Sequence, residues 1–379
     1  MTSSFQPSTS QAQVAALPLH ACAEFQASIA ALWVFPIKSC AGISVQQALL
    51  TATGLAHDRA WMVVDAQGDM LTQRELPRMA LVQPELLHAD ASVSELVLHA
   101  TGMAALHLPW TAQGRNSIER PNKPATPQAH AMQVRIWDDQ VPAFDMGEAA
   151  SAWLTEFLGQ SFGPLRLVRF DENHPRSSSA HWTQGLPSLN QFSDGFPLLV
   201  ASTASLDELN TRLQAKGEAA VDMRRFRANV VLGQDAQSHP LNAHDEDRIE
   251  TLTFHTEGEP AQLKPVKPCP RCPIPNIDPD SAQSHPAVSD ALLAYRQDPR
   301  VDGALTFGMN CLPVAGIGQV LCVGQRVSAD WAFKTAELRH YNLRQLQGYF
   351  YEFEMRHRGF AQRWQIHPVQ RPHQSGHRG

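Results

Sequence analysis

Two cysteines in a Cys-x-x-Cys spacing stand among four prolines in the segment Lys267-Pro268-Cys269-Pro270-Arg271-Cys272-Pro273-Ile274-Pro275. Because proline fixes φ and has no N–H to donate, this segment is predicted to be an extended loop and not a helix. A thioredoxin-type dithiol places its first thiolate at a helix N-terminus, so that chemistry fits poorly. A loop thiolate beside Arg271 and Lys267 is instead suited to binding a soft metal.

A zinc site is the other chemistry that a Cys-x-x-Cys pair suggests. It needs a second pair of ligands, but Cys311 and Cys322 are far apart in sequence and lie inside predicted strands. The 17 histidines show no zinc or haem spacing and are interpreted as surface residues. A zinc-stabilised binding module therefore remains a third hypothesis, which fails if a chelator leaves the fold intact.

The sequence around this loop consists mostly of short apolar runs bounded by Gly, Pro and polar turns, a pattern typical of strands. Few helices alternate with these runs, so a parallel βαβ sheet is disfavoured. We expect a mainly β fold with some helices, of the α+β class, with two barrel-like lobes. The predicted strands are Ser44–Thr51, Arg59–Val64 and Met70–Gln73 as a hairpin, Glu95–His99, Ala105–Leu108, Gln133–Trp137, Phe196–Ala201, Asn229–Leu232, Ile249–His255, Ala304–Met309 and Gln319–Val327.

Two capping boxes predict helix starts, because each side chain of such a box can bond an otherwise unpaired backbone N–H. The first, Asp145-x-x-Glu148, precedes an apolar face, and Gly159 or Gly163 ends the helix. The second, Ser205-x-x-Glu208, opens a helix with leucines at helical spacing. The predicted apolar faces are Ala149, Trp153, Leu154, Phe157 and Leu158 in the first helix, and Leu206, Leu209 and Leu213 in the second.

The composition changes along the chain suggest five segments. Residues 1–30 are rich in Ser, Gln and Ala and are predicted to be a mobile leader. Residues 31–170 form a first lobe, 171–191 a Pro-punctuated linker and 192–328 a second lobe. Residues 329–379 form a tail with a predicted helix from Arg339 to Arg363, in which arginines and aromatic residues alternate.

Charge and cysteine content exclude several classes of protein. Among 379 residues there are 31 Lys and Arg against 37 Asp and Glu, a net charge of −6, which argues against a nucleic-acid partner. No uncharged apolar run is long enough to span a membrane. The first basic residue is Lys38, so no secretory or transit signal is evident, and 6 cysteines suit a reducing compartment. We therefore expect a cytoplasmic protein.

Seven short motifs in one order make the sequence similar to a known family. They are Phe35-Pro36-Ile37-Lys38-Ser39-Cys40, His57-Asp58-Arg59-Ala60-Trp61, Thr72-Gln73-Arg74-Glu75-Leu76-Pro77-Arg78, Ala204-Ser205-Leu206-Asp207-Glu208-Leu209-Asn210, Phe226-Arg227-Ala228-Asn229, the Cys269–Cys272 loop with Asp278-Pro279-Asp280, and Phe307-Gly308. The sequence from Leu32 to Val327 resembles the MOSC family in its two-lobed form, the molybdenum-cofactor proteins of the amidoxime-reducing component and YcbX type. The resemblance implies a MOSC N-terminal β-barrel over 31–170 and a MOSC barrel over 192–328.

The resemblance also implies a site for molybdenum cofactor, whose pterin, dithiolene and phosphate need cations, N–H donors and hydroxyls. Lys38, Ser39 and Arg59 are expected to contact the phosphate and nearby polar atoms, with Arg227 and Asn229 completing a basic wall. Ser202, Thr203 and Ser205, at a predicted helix N-terminus, could supply hydroxyls and N–H groups to an anion, although Ser205 is explained equally well as an N-cap.

Cys272, the second cysteine of the loop, is expected to be the protein ligand of molybdenum and catalytically indispensable. Asp278, in the Asp-Pro-Asp loop beyond it, is expected near the open metal face as the proton donor. Arg74 and Arg78 are expected to brace the two lobes. The remaining cysteines, Cys40, Cys269, Cys311 and Cys322, are interpreted as small buried or incidental residues.

The implied activity is the reduction of N-oxygenated or N-hydroxylated compounds such as hydroxylamines and amidoximes. The chain has no ferredoxin cysteines, haem motif or G-x-G-x-x-G loop, so no iron–sulfur cluster is encoded and a separate ferredoxin, flavodoxin or cytochrome-like protein is expected to supply electrons. The Arg339–Arg363 helix is a candidate docking surface for an acidic donor. The alternative is a carrier of molybdenum cofactor or a sulfur-handling module without reductase turnover.

Overall fold

The computed structural model describes residues 25–89, 92–110, 130–234 and 241–332. The predicted leader and the C-terminal helix lie outside these ranges, apart from the few residues 25–30 and 329–332. Residues 23–332 cluster as one compact unit. Among the described residues no helix is long and apolar enough to cross a membrane.

The described residues are mostly β, as the sequence predicts. The strands are β1 Phe25–Val34, β2 Ile43–Val45, β3 Gln47–Thr51, β4 Gly54–Leu55, β5 Trp61–Val64, β6 Gln83–Ala89, β7 Ser92–His99, β8 Leu106–Pro109, β9 His130–Ile136, β10 Asp139–Asp145, β11 Arg166–Phe170, β12 Arg176–Ser177, β13 Leu189–Asn190, β14 Leu198–Ser202, β15 Val230–Gly233, β16 Ile249–Phe254, β17 Ala261–Pro270, β18 Gln297–Asp298, β19 Ala304–Ala315, β20 Val320–Cys322 and β21 Arg326–Trp331. The α-helices are α1 Glu148–Leu158, α2 Ala180–Thr183, α3 Thr203–Ala215 and α4 Ala287–Leu293. Single 3₁₀ turns occur at Pro77–Leu81, Met223–Phe226, Asp245–Arg248, Ile274–Asn276 and Pro299–Val301.

Seven strands close into a barrel in the order β14-β15-β1-β21-β16-β17-β19, with β19 pairing back onto β14. Closure leaves these strands without a free edge in the ring. The pairs are antiparallel except β14 with β15, which run parallel on either side of α3. The sequence prediction that a parallel βαβ sheet is disfavoured is confirmed for the barrel as a whole, and the β14-α3-β15 unit is a single parallel crossover within it.

Alternating apolar residues along each strand fill the barrel. In β1, Phe25, Ala27 and Ile29 face the core, and after a bulge between Ile29 and Ala31 the buried positions shift to Leu32 and Val34. The bulge adds one residue and so moves the side-chain alternation by one position. The apolar side chains of both halves of the strand therefore face the same core.

The first half of the chain also forms two smaller antiparallel sheets, β5-β11-β10-β9 and β6-β7-β8, which together make a half-barrel. Helix α1 buries Ala150, Trp153, Leu154, Phe157 and Leu158 in the same core as β5 and β7. Strand β1 comes first in the chain but belongs to the seven-stranded barrel, which joins the two halves directly. The lobe boundaries at 170 and 192 stay predictions.

The two predicted capping boxes differ in the structure. The N-cap of α1 is Gly147, and Asp145 and Glu148 both accept hydrogen bonds from Arg166 instead of closing a box. Helix α3 begins earlier than predicted, with Ser202 as N-cap, whose Oγ accepts from the Ser205 N–H at 3.1 Å. At both helix starts the polar side chains thus combine local backbone bonds with partners from distant parts of the chain, Arg166 for α1 and Glu246 for α3.

Candidate functional site

Two segments that follow β1 and precede β5 run side by side and form the first wall of the site. Backbone bonds join Lys38 N–H to Trp61 O at 2.8 Å and Arg59 N–H to Phe35 O at 2.8 Å. The Asp58 carboxylate accepts from Phe35 N–H at 2.7 Å and from the Arg59 guanidinium at 2.5 Å. The first two motifs of the sequence are thereby held next to each other.

The Phe35 ring supports two guanidinium groups. The Arg59 and Arg227 Cζ atoms each lie 4.3 Å from the ring centroid. Arg227 donates from Nη1 to Cys40 O at 2.6 Å, whereas its buried Nη2 has no hydrogen-bond partner. Burial and the neighbouring Arg59 charge lower the pKa of Arg227 to about 9. An anion beside this pair would satisfy the free donor and relieve the repulsion.

Backbone strain is concentrated at the same place. Ser39, Arg59 and Arg227 all have left-handed backbones, with φ of 65°, 52° and 59°. Residues with a Cβ adopt this conformation at a cost and keep it where the surrounding structure fixes it, most often at functional sites. The surrounding contacts therefore hold the backbones of Ser39 and the two arginines in fixed directions.

Lys38 is buried, with 4% of its surface exposed, and pairs with the Asp194 carboxylate. Its Nζ also donates to Phe192 O at 3.2 Å. Burial lowers the pKa of Lys38, and Asp194 opposes that shift. Desolvation raises the pKa of Asp194, but the Lys38 charge and hydrogen bond outweigh it, so this pKa lies well below its usual range. An ammonium has three N–H donors, so one of them remains for a ligand.

The Cys-x-x-Cys segment forms a second wall of the site. Cys269 is near the end of β17, and Cys272 lies in the loop that follows, before the 3₁₀ turn at Ile274–Asn276. The Arg271 guanidinium donates to Cys269 Sγ at 3.1 Å and to Phe226 O at 3.0 Å. Cys269 is therefore a cavity residue held by Arg271, in contrast to the prediction of an incidental role. Cys40 and Cys311 are buried, as predicted.

These walls enclose a cavity of about 370 Å³, called here the site cavity. It lies between the first half of the chain and the seven-stranded barrel. Within the described ranges, no group of three or more His, Cys, Asp or Glu is placed to hold a metal ion by itself. The predicted site residues that line it are Lys38, Ser39, Arg59, Arg227, Asn229 and Cys272.

Asn229 lines the site cavity but also braces the barrel. Its Oδ1 accepts from Leu199 N–H at 3.1 Å, and its Nδ2 donates to Trp33 O at 3.3 Å. Both ends of the amide are therefore used to tie β14 to β1, and its role in the wall is to fix the neighbouring backbone.

The structure corrects the prediction for Ser202, Thr203 and Ser205, which are not among the lining residues. Ser202 and Ser205 are fully buried, and their hydroxyls donate to the Glu246 carboxylate at 2.9 and 2.6 Å. Burial raises the pKa of Glu246 to about 7, with a further contribution from Asp247. This N-terminus of α3 is already occupied by a buried side chain of the protein, so it does not offer hydroxyls to a cofactor.

Asp278 also differs from its prediction. It is not a lining residue of the site cavity; its Oδ2 accepts from Arg225 at 2.7 Å, and its Oδ1 accepts from the N–H groups of Asp280 and Ser281. Despite desolvation, these hydrogen bonds hold the pKa of Asp278 below its usual value. An ionised carboxylate that accepts this many hydrogen bonds stabilises its own loop and is a poor proton donor.

Several residues that reasoning from the sequence missed complete the site. Asp194 lies at the start of the predicted second lobe, just after the predicted linker, and gave no local signal. Trp137, in the tight turn between β9 and β10, lies under Lys38 and Arg74. The centroid of its ring is 5.8 Å from Lys38 Nζ and 4.9 Å from Arg74 Cζ. A lone tryptophan in a polar turn was the one feature of the sequence that could have indicated its role in the site. Arg78 packs on Phe157 of α1, within the first half of the chain.

The fold and the cavity together define a class: a β-barrel protein in which a partly exposed thiol and a strained, cation-rich wall line one cavity. Residues 26–161 match the MOSC N-terminal beta barrel domain, and residues 187–328 match the MOSC domain. Mitochondrial amidoxime-reducing component 1 of Homo sapiens is 32% identical over 281 residues, which cover 72% of this chain and 73% of that protein.

Molybdenum cofactor sulfurase of Bos taurus is 30% identical over 282 residues, covering 70% of this chain and 28% of that protein. The YUAD protein from Bacillus subtilis, a solved structure, is 10% identical with a TM-score of 0.35, covering 82% of this chain and 98% of that one. The chain belongs to the MOSC family, in the two-domain form related to the amidoxime-reducing components.

Proposed function

We propose that this protein holds a molybdenum cofactor in the site cavity, with Cys272 as the protein ligand of molybdenum, and reduces N-oxygenated compounds. The observation that carries the proposal is the convergence of the Cys272 loop with Lys38, Arg59 and Arg227 on one cavity. MOSC domains generally bind molybdenum cofactor, and the related amidoxime-reducing components are named for a reduction.

The residues present fit such a group. A thiolate is a soft donor suited to molybdenum, and a phosphate needs several N–H donors and positive charge. The unpaired Nη2 of Arg227 and the remaining Nζ donor of Lys38 supply those donors. Burial and the fixed backbone hold these donors in place before a ligand binds. Little conformational entropy is then lost on binding.

When bound, the cofactor would supply the two electrons that break the N–O bond, so that an amidoxime plus two electrons and two protons gives an amidine and water. The chain's own residues bind and orient. The Phe35 ring contacts both guanidinium groups, Asp58 fixes Arg59, and Asp194 fixes Lys38. Arg271 donates a hydrogen bond to Cys269 Sγ, so Cys269 is engaged by the protein and Cys272 is the thiol that we assign to the metal.

The test is metal and pterin analysis of protein from a molybdenum-replete, cofactor-competent host, followed by benzamidoxime turnover with a dye donor. We expect about one molybdenum per chain, as for a single bound cofactor, and loss of turnover in Cys272→Ser. Cys322→Ser is the matched control, because Cys322 is also partly buried but lies on β20, outside the site cavity. Protein without molybdenum or pterin would refute the proposal.

A second function, transfer or sulfuration of the cofactor without reductase turnover, is favoured by the match to molybdenum cofactor sulfurase. The same thiol and anion site would serve it. Loaded protein that never reduces benzamidoxime with a dye donor supports this function. Steady turnover that Cys272→Ser abolishes rejects it.

We further propose that a separate redox protein delivers the electrons and docks on residues 333–379, which contain the arginine-rich segment. Removing these residues should slow turnover with the protein donor but spare turnover with the dye and the molybdenum content. Equal loss with both donors would mean that the segment stabilises the fold.

A further inference from the structure

Lys267 occupies a position in the site cavity that the binding of the cofactor does not explain. It lies on β17 just before the Cys-x-x-Cys segment and lines the same cavity as Cys272. The register of β17 against β19 shifts between Pro265 and Lys267, and such bulges redirect side chains near functional sites. Its ammonium lies 5.1 Å from the Trp182 ring and 5.9 Å from the Phe196 ring.

The other cations of the cavity are mostly committed to protein groups. Lys38 pairs with Asp194, Arg59 with Asp58, Arg227 bonds Cys40 O, and Arg271 bonds Cys269 and Phe226 O. Among the lining cations, Arg74 and Lys267 are the two whose side chains form neither an ion pair nor a hydrogen bond with any described residue. Both charges are thus available to ligands, in addition to the single open donors of Lys38 and Arg227.

These two cations have different neighbours in the cavity. Arg74 shares the Trp137 ring with Lys38 and contributes to the low pKa of Asp194, so it stands beside Lys38. Lys267 precedes the Cys272 loop and has its own aromatic partners. A phosphate held by Lys38, Arg59 and Arg227 would leave Lys267 free, next in sequence to the loop whose Cys272 would bind the metal.

We infer that Lys267 selects substrates, and that the preferred substrate class is N-oxygenated compounds that carry an anionic group such as a carboxylate on a flat apolar body. The aromatic rings of Trp182 and Phe196 would hold the ammonium in place and present an apolar face beside it. A carboxylate that reaches this ammonium gains an ion pair in a partly desolvated site, where it is stronger than in water.

This inference rests on the proposed function but is tested by binding, without turnover. The probes are benzamidoxime and 4-carboxybenzamidoxime, which differ by one carboxylate, titrated calorimetrically into cofactor-loaded protein in the absence of an electron donor. We expect the carboxylate compound to bind about tenfold tighter to the wild type. Lys267→Met should remove this difference, Lys267→Arg should keep it, and benzamidoxime should bind all variants alike.

Lys264→Met is the matched control, because Lys264 lies on the same strand but pairs with Glu250 at 2.8 Å away from the cavity. It should keep the tenfold preference. Equal binding of both compounds to the wild type, or a preference that survives Lys267→Met, would overturn the inference. Loss of molybdenum from Lys267→Met would also overturn it, because Lys267 would then hold the cofactor.

The two proposals fail in different ways. If the loaded wild type prefers the carboxylate compound but never reduces either one, the reductase function is refuted and the role of Lys267 stands. If it reduces both with the same kcat/KM and binds both equally, the reductase function stands and Lys267 has no role in selection.

Discussion

Glu246 makes the stability of this protein depend on pH in a predictable direction. It lies in the 3₁₀ turn Asp245–Arg248, is 1% exposed, and accepts hydrogen bonds from Ser202 and Ser205 at the start of α3. Its pKa is raised from 4.5 to about 7, first by burial. At about 1.4 kcal/mol per pKa unit, the shift corresponds to about 3 kcal/mol.

The sign follows from which state holds the proton. Between the two pKa values the folded protein keeps Glu246 protonated while the unfolded chain releases the proton. The stabilisation is therefore complete below about pH 4.5 and is lost as the pH rises to about 7. Glu246→Gln stays neutral throughout, so the wild type should lose about 3 kcal/mol relative to this variant across that interval.

The assay is urea unfolding of both proteins, followed by tryptophan fluorescence, at several pH values from about 4 to about 8. The difference between the proteins is the quantity to measure, because half-buried His57 and buried His244, with pKa values lowered to about 4 and about 3, push the absolute stability in the opposite direction. Glu250→Gln removes a carboxylate at an exposed site paired with Lys264 and is the control for a general effect of charge. Parallel pH curves for wild type and Glu246→Gln would refute the argument.

Three further substitutions separate structural from binding roles. Ser205→Ala should cost about 1–3 kcal/mol in urea unfolding by removing the shortest hydrogen bond to Glu246, yet leave the molybdenum content unchanged; a loss of metal at full stability would return Ser205 to the site. Asp278→Asn should leave the pH profile of turnover unchanged, and a shifted profile would restore its role as proton donor. Gly42→Ala places a Cβ 2.4 Å from Phe35 Cε1, so the ring beneath the two guanidinium groups must move and molybdenum content should fall several-fold; retention of the metal would show that this support is not needed.

Much of the fold could be predicted from short stretches of sequence. Alternating apolar residues marked most strands, and the leucines of α3 and the apolar face of α1 marked two helices. Helix starts were less predictable, because Arg166 and Glu246 compete for the capping side chains from distant positions. A local motif identifies the hydrogen bonds that neighbouring residues can form. It does not show which distant residue the fold will bring to the same side chain.

The sequence by itself determined the mainly β architecture, the MOSC family and the loop that carries Cys272, because proline geometry, strand alternation and motif order are properties of neighbouring residues. Only the tertiary structure brought Arg59 within reach of Arg227, 168 residues later, and paired Lys38 with Asp194. It also turned Ser202 and Ser205 toward Glu246, and Asp278 toward Arg225. A buried polar group must find a partner wherever the closed barrel provides one, and that choice depends on packing across the fold.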